Sequence, residues 1–483
     1  MESFWRGLAG HLMSRLKPYV VITFTRNRQN PVQACRMWCG IEFKLEGKML
    51  KRKCLIATPR RDLREPRRVA RFSVFFRASR RSLRGVATII AVMFTACTGS
   101  ESKTEVPDHI LEMENVTIFS EEDFENPNTI RLIKDREFAD SDDLYFANIR
   151  GFITDDSGRV YIKDIAPGTL TIHVFSPDGD YIASLGRKGR GPGEYNSLCC
   201  LNVRSNVLYV VDKALSRVTT YSTDSLELLE TLSIDQNNLN SAGQLSGKRF
   251  RDHYFIDDET RLLSFIRPQR YTEETPATFH YFIADSAYQK IGDEVFKQVD
   301  MLETWGDWNG HMIMQKFPFL KKPLITVTPS GRIFIADSDE FFIRELNKEG
   351  DVIGGFYYPV PRIPVTREDA RNSSDSMSKD IAEKVELPDS WAVMQSMWSD
   401  DSERLWIPAF TEAEDELEWW VVEADGELIG KFRWPGNREA PPYTHGSTYT
   451  RIQGDYFYTR EVDEETGLQT VVRYRIEIGD QDA

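Results

Sequence analysis

Short runs in which apolar residues alternate with polar ones recur after turn signals. They are GRVYIKD from Gly158, NVLYVVD from Asn206, TRLLSFI from Thr260, GRIFIAD from Gly331, ERLWIPA from Glu403 and GDYFYTR from Gly454. A period of two is the signature of a half-buried strand, because successive side chains leave a strand on opposite sides. Each run has a β-branched or aromatic companion some ten to fifteen residues later: LTIHVFSPDGDYIASLG, RVTTYSTDSLELLETL, FHYFIADSAYQKIGD, FIRELNKEGDVIGGFYYP, WWVVEADGELIGKFRWP and TVVRYRIEIGD. In four of them a turn, SPDG, STDS, NKEG or EADG, separates two strands, which is hairpin chemistry. The unit reads as strand, strand, turn, strand. It occurs six times, 48 to 72 residues apart.

That spacing exceeds a four-stranded unit, and the excess is expected in two insertions, Gly292 to Met312 and Val365 to Ser390, the second with a short helix around Ser378 to Val385. No long amphipathic helical pattern occurs elsewhere, which argues against alternating α/β folds. The expected fold is all-β, a six-bladed β-propeller of four-stranded antiparallel blades, since radial packing leaves only short sheet edges exposed. Closure is expected from an N-terminal strand, Thr129 to Phe138, pairing into the last blade beside Thr470 to Glu477.

Charge divides the chain. The net charge of −14 averages residues 1–96, with 21 basic and 5 acidic residues, and residues 97–483, with 40 basic and 70 acidic. At the boundary, RRSLRGVATIIAVMFTAC offers Arg80, Arg81 and Arg84 ahead of an apolar stretch from Gly85 to Ala96, too short for a comfortable membrane span and patterned as a signal peptide over 74–97. Residues 1–73, Arg-rich and without a sustained period, read as an upstream extension outside any folded domain; 98–113, polar and carrying Pro107, as a tether; 114–483 as the propeller. FTAC resembles a bacterial lipobox, with Phe94 where that family usually has Leu. The resemblance implies a lipid on Cys97 and a place in the bacterial cell envelope, anchored to the outer membrane. The acidic surplus after Cys97 argues against nucleic-acid partners and against membrane contact other than through the lipid.

Cysteine usage adds little scaffolding. Cys35, Cys39 and Cys54 have no fourth ligand at zinc spacing, and beyond Cys97 only the neighbours Cys199 and Cys200 remain. Adjacent cysteines form a strained disulfide at best, so the domain does not depend on a disulfide framework.

The stretch GRKGRGPGEY, Gly186 to Tyr195, contains half of a phosphate loop. Pro192 and Gly193 stand where Lys and Ser or Thr would be required, and a strand-like sequence follows instead of a helix, so it reads as a blade junction. Together with the strand runs ending in Asp, it resembles the six-bladed β-propeller lipoproteins of Bacteroidetes-type bacteria, relatives of NHL-repeat propellers. On that resemblance Gly186, Gly189, Gly191, Pro192, Gly193, Glu194 and Tyr195 form the family's junction, Asp164, Asp212 and Asp337 are its strand-ending Asp, and Arg217 is the Arg after it. The fifth unit departs, with Pro408 where that strand would end, and the third keeps only the hydrophobic pattern.

Candidate chemistry is sparse. Asp212 and Asp337 read as structural caps, Asp212 pairing with Arg217. No two of His11, His109, His173, His253, His280, His311 and His445 have metal-ligand spacing, and no nucleophile elbow or dinucleotide fingerprint occurs. Arg187, Lys188 and Arg190 are a basic patch suited to an acidic partner. Trp305, Trp308 and His311 lie in an insertion, where ligand contacts concentrate. EDELEWW, Glu414 to Trp420, mixes acids with two tryptophans as a carbohydrate or peptide platform would, yet adjacent tryptophans on a strand point to opposite faces, so at least one is expected in the core. The expected function is a binding or scaffold module for a protein, peptide or carbohydrate ligand in the envelope, with no catalytic residue and no cofactor assigned. The alternative is a calcium-dependent hydrolase or lyase working in the central channel.

Overall fold

Each of the six alternating runs forms the second strand of an antiparallel sheet. The structure, a computed structural model, describes residues 21–25, 36–45, 48–57, 106–124, 127–139, 144–234, 243–269, 275–374, 377–438 and 449–479. The chain divides into two compact units, Met1–Lys103 and Thr104–Ala483. Within the first, strands Val21–Thr25, Arg36–Leu45 and Lys48–Ala57 form an antiparallel meander inside the span read as an upstream extension. The signal-peptide span and Cys97 lie outside the described residues, as do Cys35, His11 and His445.

In the second unit, blade 1 is Ile149–Thr154, Val160–Ala166, Thr169–Phe175 and Tyr181–Leu185. Blade 2 is Leu198–Arg204, Val207–Asp212, Arg217–Ser222 and Leu228–Ser233. Blade 3 is Arg249–Phe255, Thr260–Arg267, Thr278–Asp285 and Ile291–Val299. Blade 4 is Pro323–Val327, Ile333–Asp337, Phe342–Leu346 and Val352–Tyr357. Blade 5 is Trp398–Ser399, Leu405–Phe410, Glu416–Val422 and Leu428–Pro435. Blade 6 takes Thr450–Gln453, Tyr456–Val462 and Gln469–Gly479 from the carboxy-terminal end, and its fourth strand is Asn128–Phe138.

The hydrophobic clusters close the circle. Blades 1 and 2 share a core around Tyr161, Ile172, Tyr195 and Leu208, blades 2 and 3 around Val211, Val218 and Phe265, and blades 3 and 4 around Leu262, Tyr281 and Ile335. Blades 4 and 5 share Phe334, Ile343, Ile407 and Trp420; blades 5 and 6 share Trp406, Trp419 and Phe457; blades 6 and 1 share Phe138, Tyr458, Ile162 and Phe175. One core per neighbouring pair, six pairs in a cycle, is the packing of a closed six-bladed propeller. The strand before blade 1 completes it, with Arg473 bound to Asp135 across the closing pair at 2.6 Å. The same segment clasps the neighbours: Val116–Ile118 runs parallel to the outer strand of blade 4, and Asn128 and Thr129 run parallel to that of blade 5. Helix α1, Asp108–Leu111, inside the span read as a tether, buries Ile110 against Phe342 and Tyr357.

Two readings of the pattern need correction. The stretch from Gly292 is not an insertion at its start, because Ile291–Val299 is the outer strand of blade 3; the true insertion begins after it and holds a hairpin, Thr304–Trp308 with His311–Gln315. The unit also gains a strand that the alternation missed, the inner one. In blade 5 that strand is only two residues long, facing Leu405 and Trp406, and further along the second strand Pro408, which has no N–H to give, accepts Gln395 N–H. Helix α3, Lys379–Lys384, lies where a short helix is expected, and α2, Arg367–Asn372, precedes it with Thr366 and Asp369 forming a capping box.

Four antiparallel strands return the chain to the side from which it entered. All blade-to-blade connections therefore lie on one face, which we call the junction face. It carries the glycine-rich stretch between blades 1 and 2, the hairpin between blades 3 and 4, and α2 and α3 between blades 4 and 5.

Candidate functional site

The glycine-rich junction does bind an anion, and the anion is its own. Glu194 Oε2 accepts the N–H groups of Arg190 at 3.0 Å and Gly191 at 2.8 Å, while Oε1 accepts Nε and Nη2 of Arg187 at 3.0 and 2.8 Å. The Gly191 N–H and then Arg187 hold this carboxyl below the usual carboxylate range. The backbone path explains the glycines: Gly186 has φ +73°, and a Cβ there would stand 2.2 Å from the Tyr195 ring. Tyr195 is buried, its hydroxyl 2.8 Å from that of Tyr221. Donors that would face a phosphate are thus consumed within the loop. Of the basic patch, Arg187 is engaged by Glu194, and Lys188 and Arg190 have exposed side chains.

Arg217 corrects a second expectation. It is the register partner of Asp212 across the second and third strands, but among the described residues no ion pair joins the two side chains. Its guanidinium donates to the carbonyls of Arg190 at 3.0 Å, Gly191 at 2.9 Å and Glu194, tying the third strand of blade 2 to the junction. Asp212, fully buried, accepts four backbone amides: Asn196 at 2.7 Å and Ser197 at 3.2 Å from the strand entry, Ala214 at 3.0 Å and Leu215 at 3.1 Å from the following turn. Asp164 does the equivalent in blade 1 with Ala147 and Asn148. Burial works to raise the Asp164 carboxyl, but His173 and those two amides outweigh it and leave it below the ordinary range. In blade 4 the task has moved by one residue, since Ser338 Oγ accepts Lys322 N–H at 2.9 Å while Asp337 is half-exposed beside Arg344 at 3.5 Å. Pro323 at the start of that blade's inner strand has no amide to offer.

Sequence reasoning missed a matching set at the other end of the second strands. Asp155 accepts the Ser157 and Arg159 amides and the Tyr161 hydroxyl, and Asp400 accepts the Ser402 and Arg404 amides and Trp406 Nε1. The signal was an Asp in the turn two residues before a Ser and six before an aromatic.

Trp419 and Trp420 are both core, which removes EDELEWW as a ligand platform. Trp419 stacks between Trp398 and Phe432, and Trp420 sits under the Lys431 ammonium, 3.4 Å from its ring centre. The hairpin differs. Asn309 and Gly310 both take positive φ, the requirement of its two-residue turn. Gly306 presses on α3, where a Cβ would lie 2.5 Å from Ile381. Trp308 and His311 are register partners at the tip, whereas Trp305 lies on the opposite face with Met314, beside the pair Asp307 and Met312. Trp308, Met312 and Met314 are 40%, 52% and 43% exposed. Beneath, Phe317, Phe319, Ile381 and Trp391 form a satellite core that fixes the hairpin to the helices.

Among the described residues no group of three or more His, Cys, Asp or Glu is placed to hold a metal ion. His109, His173, His253 and His280 bond to Glu340, Ser184, Tyr288 and Glu294 respectively.

A family model described as 6-bladed beta-propeller matches residues 140–310. No curated protein matches the chain. Among solved structures, a Bacteroides fragilis NCTC 9343 protein described as exported is 13% identical over 73% of this chain and 95% of its own, with a TM-score of 0.39. The calcium-binding protein regucalcin of Agrobacterium tumefaciens str. C58 is 12% identical over 75% and 97%, with a TM-score of 0.34. Likenesses at that level carry no argument about function. The six inter-blade cores, the closing strand and the match over 140–310 agree on one description: the second unit, Thr104–Ala483, folds as a six-bladed β-propeller.

Proposed function

We propose that this propeller is an exported, lipid-anchored binding module of the cell envelope, whose ligand surface is the hairpin on the junction face and whose partner is a protein segment of apolar and basic residues. The observation that carries the reading is the outer face of the hairpin, where Met312 and Met314 are half-exposed on a strand pair that is itself rigidly seated on α3. Unbranched, polarizable Met side chains adapt to irregular apolar surfaces, and Trp anchors many interfaces. Asp307 on the same face and the surplus of 30 acidic over basic residues after residue 96 favour a basic flank in the partner.

The test is selection of displayed peptides alongside an array of envelope polysaccharides. The reading expects peptides with apolar residues flanked by Lys or Arg, with binding weakened by salt and lost in Met312→Ser/Met314→Ser at unchanged melting temperature. Binding to glycans alone, or peptide binding indifferent to both methionines, overturns it. Attachment is tested separately: Cys97→Ser should release the protein from the membrane fraction, and retention there sinks the anchor.

A further inference from the structure

The inner strand of blade 2 carries a β-bulge between Leu198 and Leu201: Leu198 pairs with Asp212 and Leu201 with Val210, so Cys199 and Cys200 together face the single residue Val211. A regular strand would send neighbouring side chains to opposite faces. The bulge cancels that alternation and re-aims them, bringing the two sulfurs to 2.7 Å. Blades 1 and 3 are irregular at the corresponding places, between Ile149 and Phe152 and between Phe250 and Asp252. Their residues surround the pair: Lys163 of blade 1 donates to the Cys199 carbonyl, the Cys200 thiol donates to Cys199 Sγ and lies 4.0 Å from the Arg251 carbonyl of blade 3, and the Asp252 carboxylate next along that strand stands close enough to act on it. Both cysteines are free and partly exposed on the inner strand of their blade.

We propose that Cys199 and Cys200 form a redox-active dithiol that exchanges with small disulfides, Cys199 attacking, Cys200 resolving and Asp252 taking the resolving proton. The Cys199 thiolate attacks one sulfur of a disulfide RSSR, whose S–S bond breaks and releases RS⁻. Cys200 gives its thiol proton to the Asp252 carboxylate, and its sulfur attacks Cys199 Sγ. The second RS⁻ leaves and takes the proton from Asp252. One RSSR is reduced by two electrons, the dithiol is oxidised to a disulfide, and a small thiol reverses the sequence.

The electrostatics support this division of labour. The Cys200 thiol, with Lys213 and Lys163, brings the Cys199 thiol down to about 7, while its hydrogen bond to Cys199 and burial push Cys200 up. Burial raises the Asp252 carboxyl to about 6, so it can both take and return a proton near neutrality. Arg251, His253 and Tyr254 of that strand, Tyr281 of the strand after next, and Lys163 and Lys213 are the other titratable groups around Asp252 and the pair. Neighbouring Cα atoms stand about 3.8 Å apart across a trans peptide, short of the roughly 4.4–6.8 Å of relaxed disulfides. The oxidised pair is therefore strained and easily reduced, which suits exchange and not scaffolding. An inner-strand position favours small substrates over disulfides held in folded proteins.

The test equilibrates the full-length protein in oxidised and reduced glutathione and reads the tryptic peptide Gly191–Arg204, which holds both cysteines and no other, by mass spectrometry. The wild type should lose two hydrogens reversibly without keeping glutathione. Cys200→Ser should trap glutathione on Cys199. Cys199→Ser should react at least tenfold more slowly at pH 7, and Asp252→Asn should accumulate the mixed disulfide transiently and lose the pH dependence of resolution near 6. A wild-type pair that stays reduced throughout, or that keeps glutathione stably, overturns the proposal without recourse to any variant.

Discussion

Glu194 holds Arg187 in a two-pronged ion pair, Oε1 lying 3.0 Å from Nε and 2.8 Å from Nη2, while its other oxygen takes the amides of Arg190 and Gly191. A charged side chain thereby fills the cradle that its own loop forms. The carboxyl is held below its usual range, so its contribution is complete above the ordinary carboxylate pKa of about 4.3 and disappears as pH falls through the lowered value. Glu194→Gln should melt below the wild type at pH 7, and the gap between the two should be smaller at pH 3 than at pH 7. A gap unchanged between those pH values would show that the carboxylate charge does not anchor the loop.

That loop also shows what the sequence could and could not convey. Second and third strands, and the outer strands except that of blade 3, were legible because each packs apolar residues against a neighbouring blade, and Thr129–Phe138 was legible as the closing strand for the same reason; Ile291–Val299, the outer strand of blade 3, reads in the sequence as part of an insertion. Inner strands were not: in blades 1 to 3 they are interrupted by register irregularities and mix Arg, Cys, Asp and Asn with apolar residues, and in blade 5 the strand is only two residues long. The partner of Arg217 was hidden because its acceptors are backbone carbonyls, which no residue type announces. The cysteine pair was visible as a dipeptide, but its convergence depends on the bulge, a matter of register between two strands.

The strand-ending aspartates predict unequal costs. Asp212→Ala leaves four amides without their acceptor at a fully buried site and should cost about 2–4 kcal/mol in urea denaturation. Asp337→Ala, at a half-exposed carboxylate with one loose ion pair, should stay within about 0.5 kcal/mol. Ser338→Ala should cost about 1 kcal/mol, because the serine holds the amide that Asp would hold in blades 1 and 2. Equal losses at Asp212 and Asp337 would defeat the claim that the anchor has shifted.

Closure rests on Phe138. It is fully buried between blades 6 and 1, with ring centres of Phe175 and Tyr458 at 6.1 and 6.3 Å, at the end of the only strand of blade 6 that comes from the amino-terminal side among the described residues. Phe138→Ala should cost about 3–5 kcal/mol. If closure is the reason, hydrogen exchange should accelerate in blades 6 and 1 before blade 3. Uniform acceleration would point to a general loss of packing.

His253 makes acid stability measurable at one residue. Its ring is fully buried, stacked on Tyr288 and bonded to that hydroxyl through Nδ1, and burial lowers its pKa to about 3. In the unfolded chain His titrates near 6.5, so below that pH the unfolded state takes up a proton that the folded state refuses. Folding should therefore lose up to about 1.4 kcal/mol per pH unit from this group between pH 6.5 and 3. Asp252 beside it runs the other way, since burial raises its carboxyl to about 6 and the folded state binds that proton first. The wild-type curve is the resultant of both, and the comparison with His253→Phe, which keeps the ring and removes the titration, isolates the histidine. The stability difference, wild type minus variant, should shrink by about 3 kcal/mol between pH 7 and pH 4. A constant difference over that interval would mean that His253 takes up its proton in the folded protein.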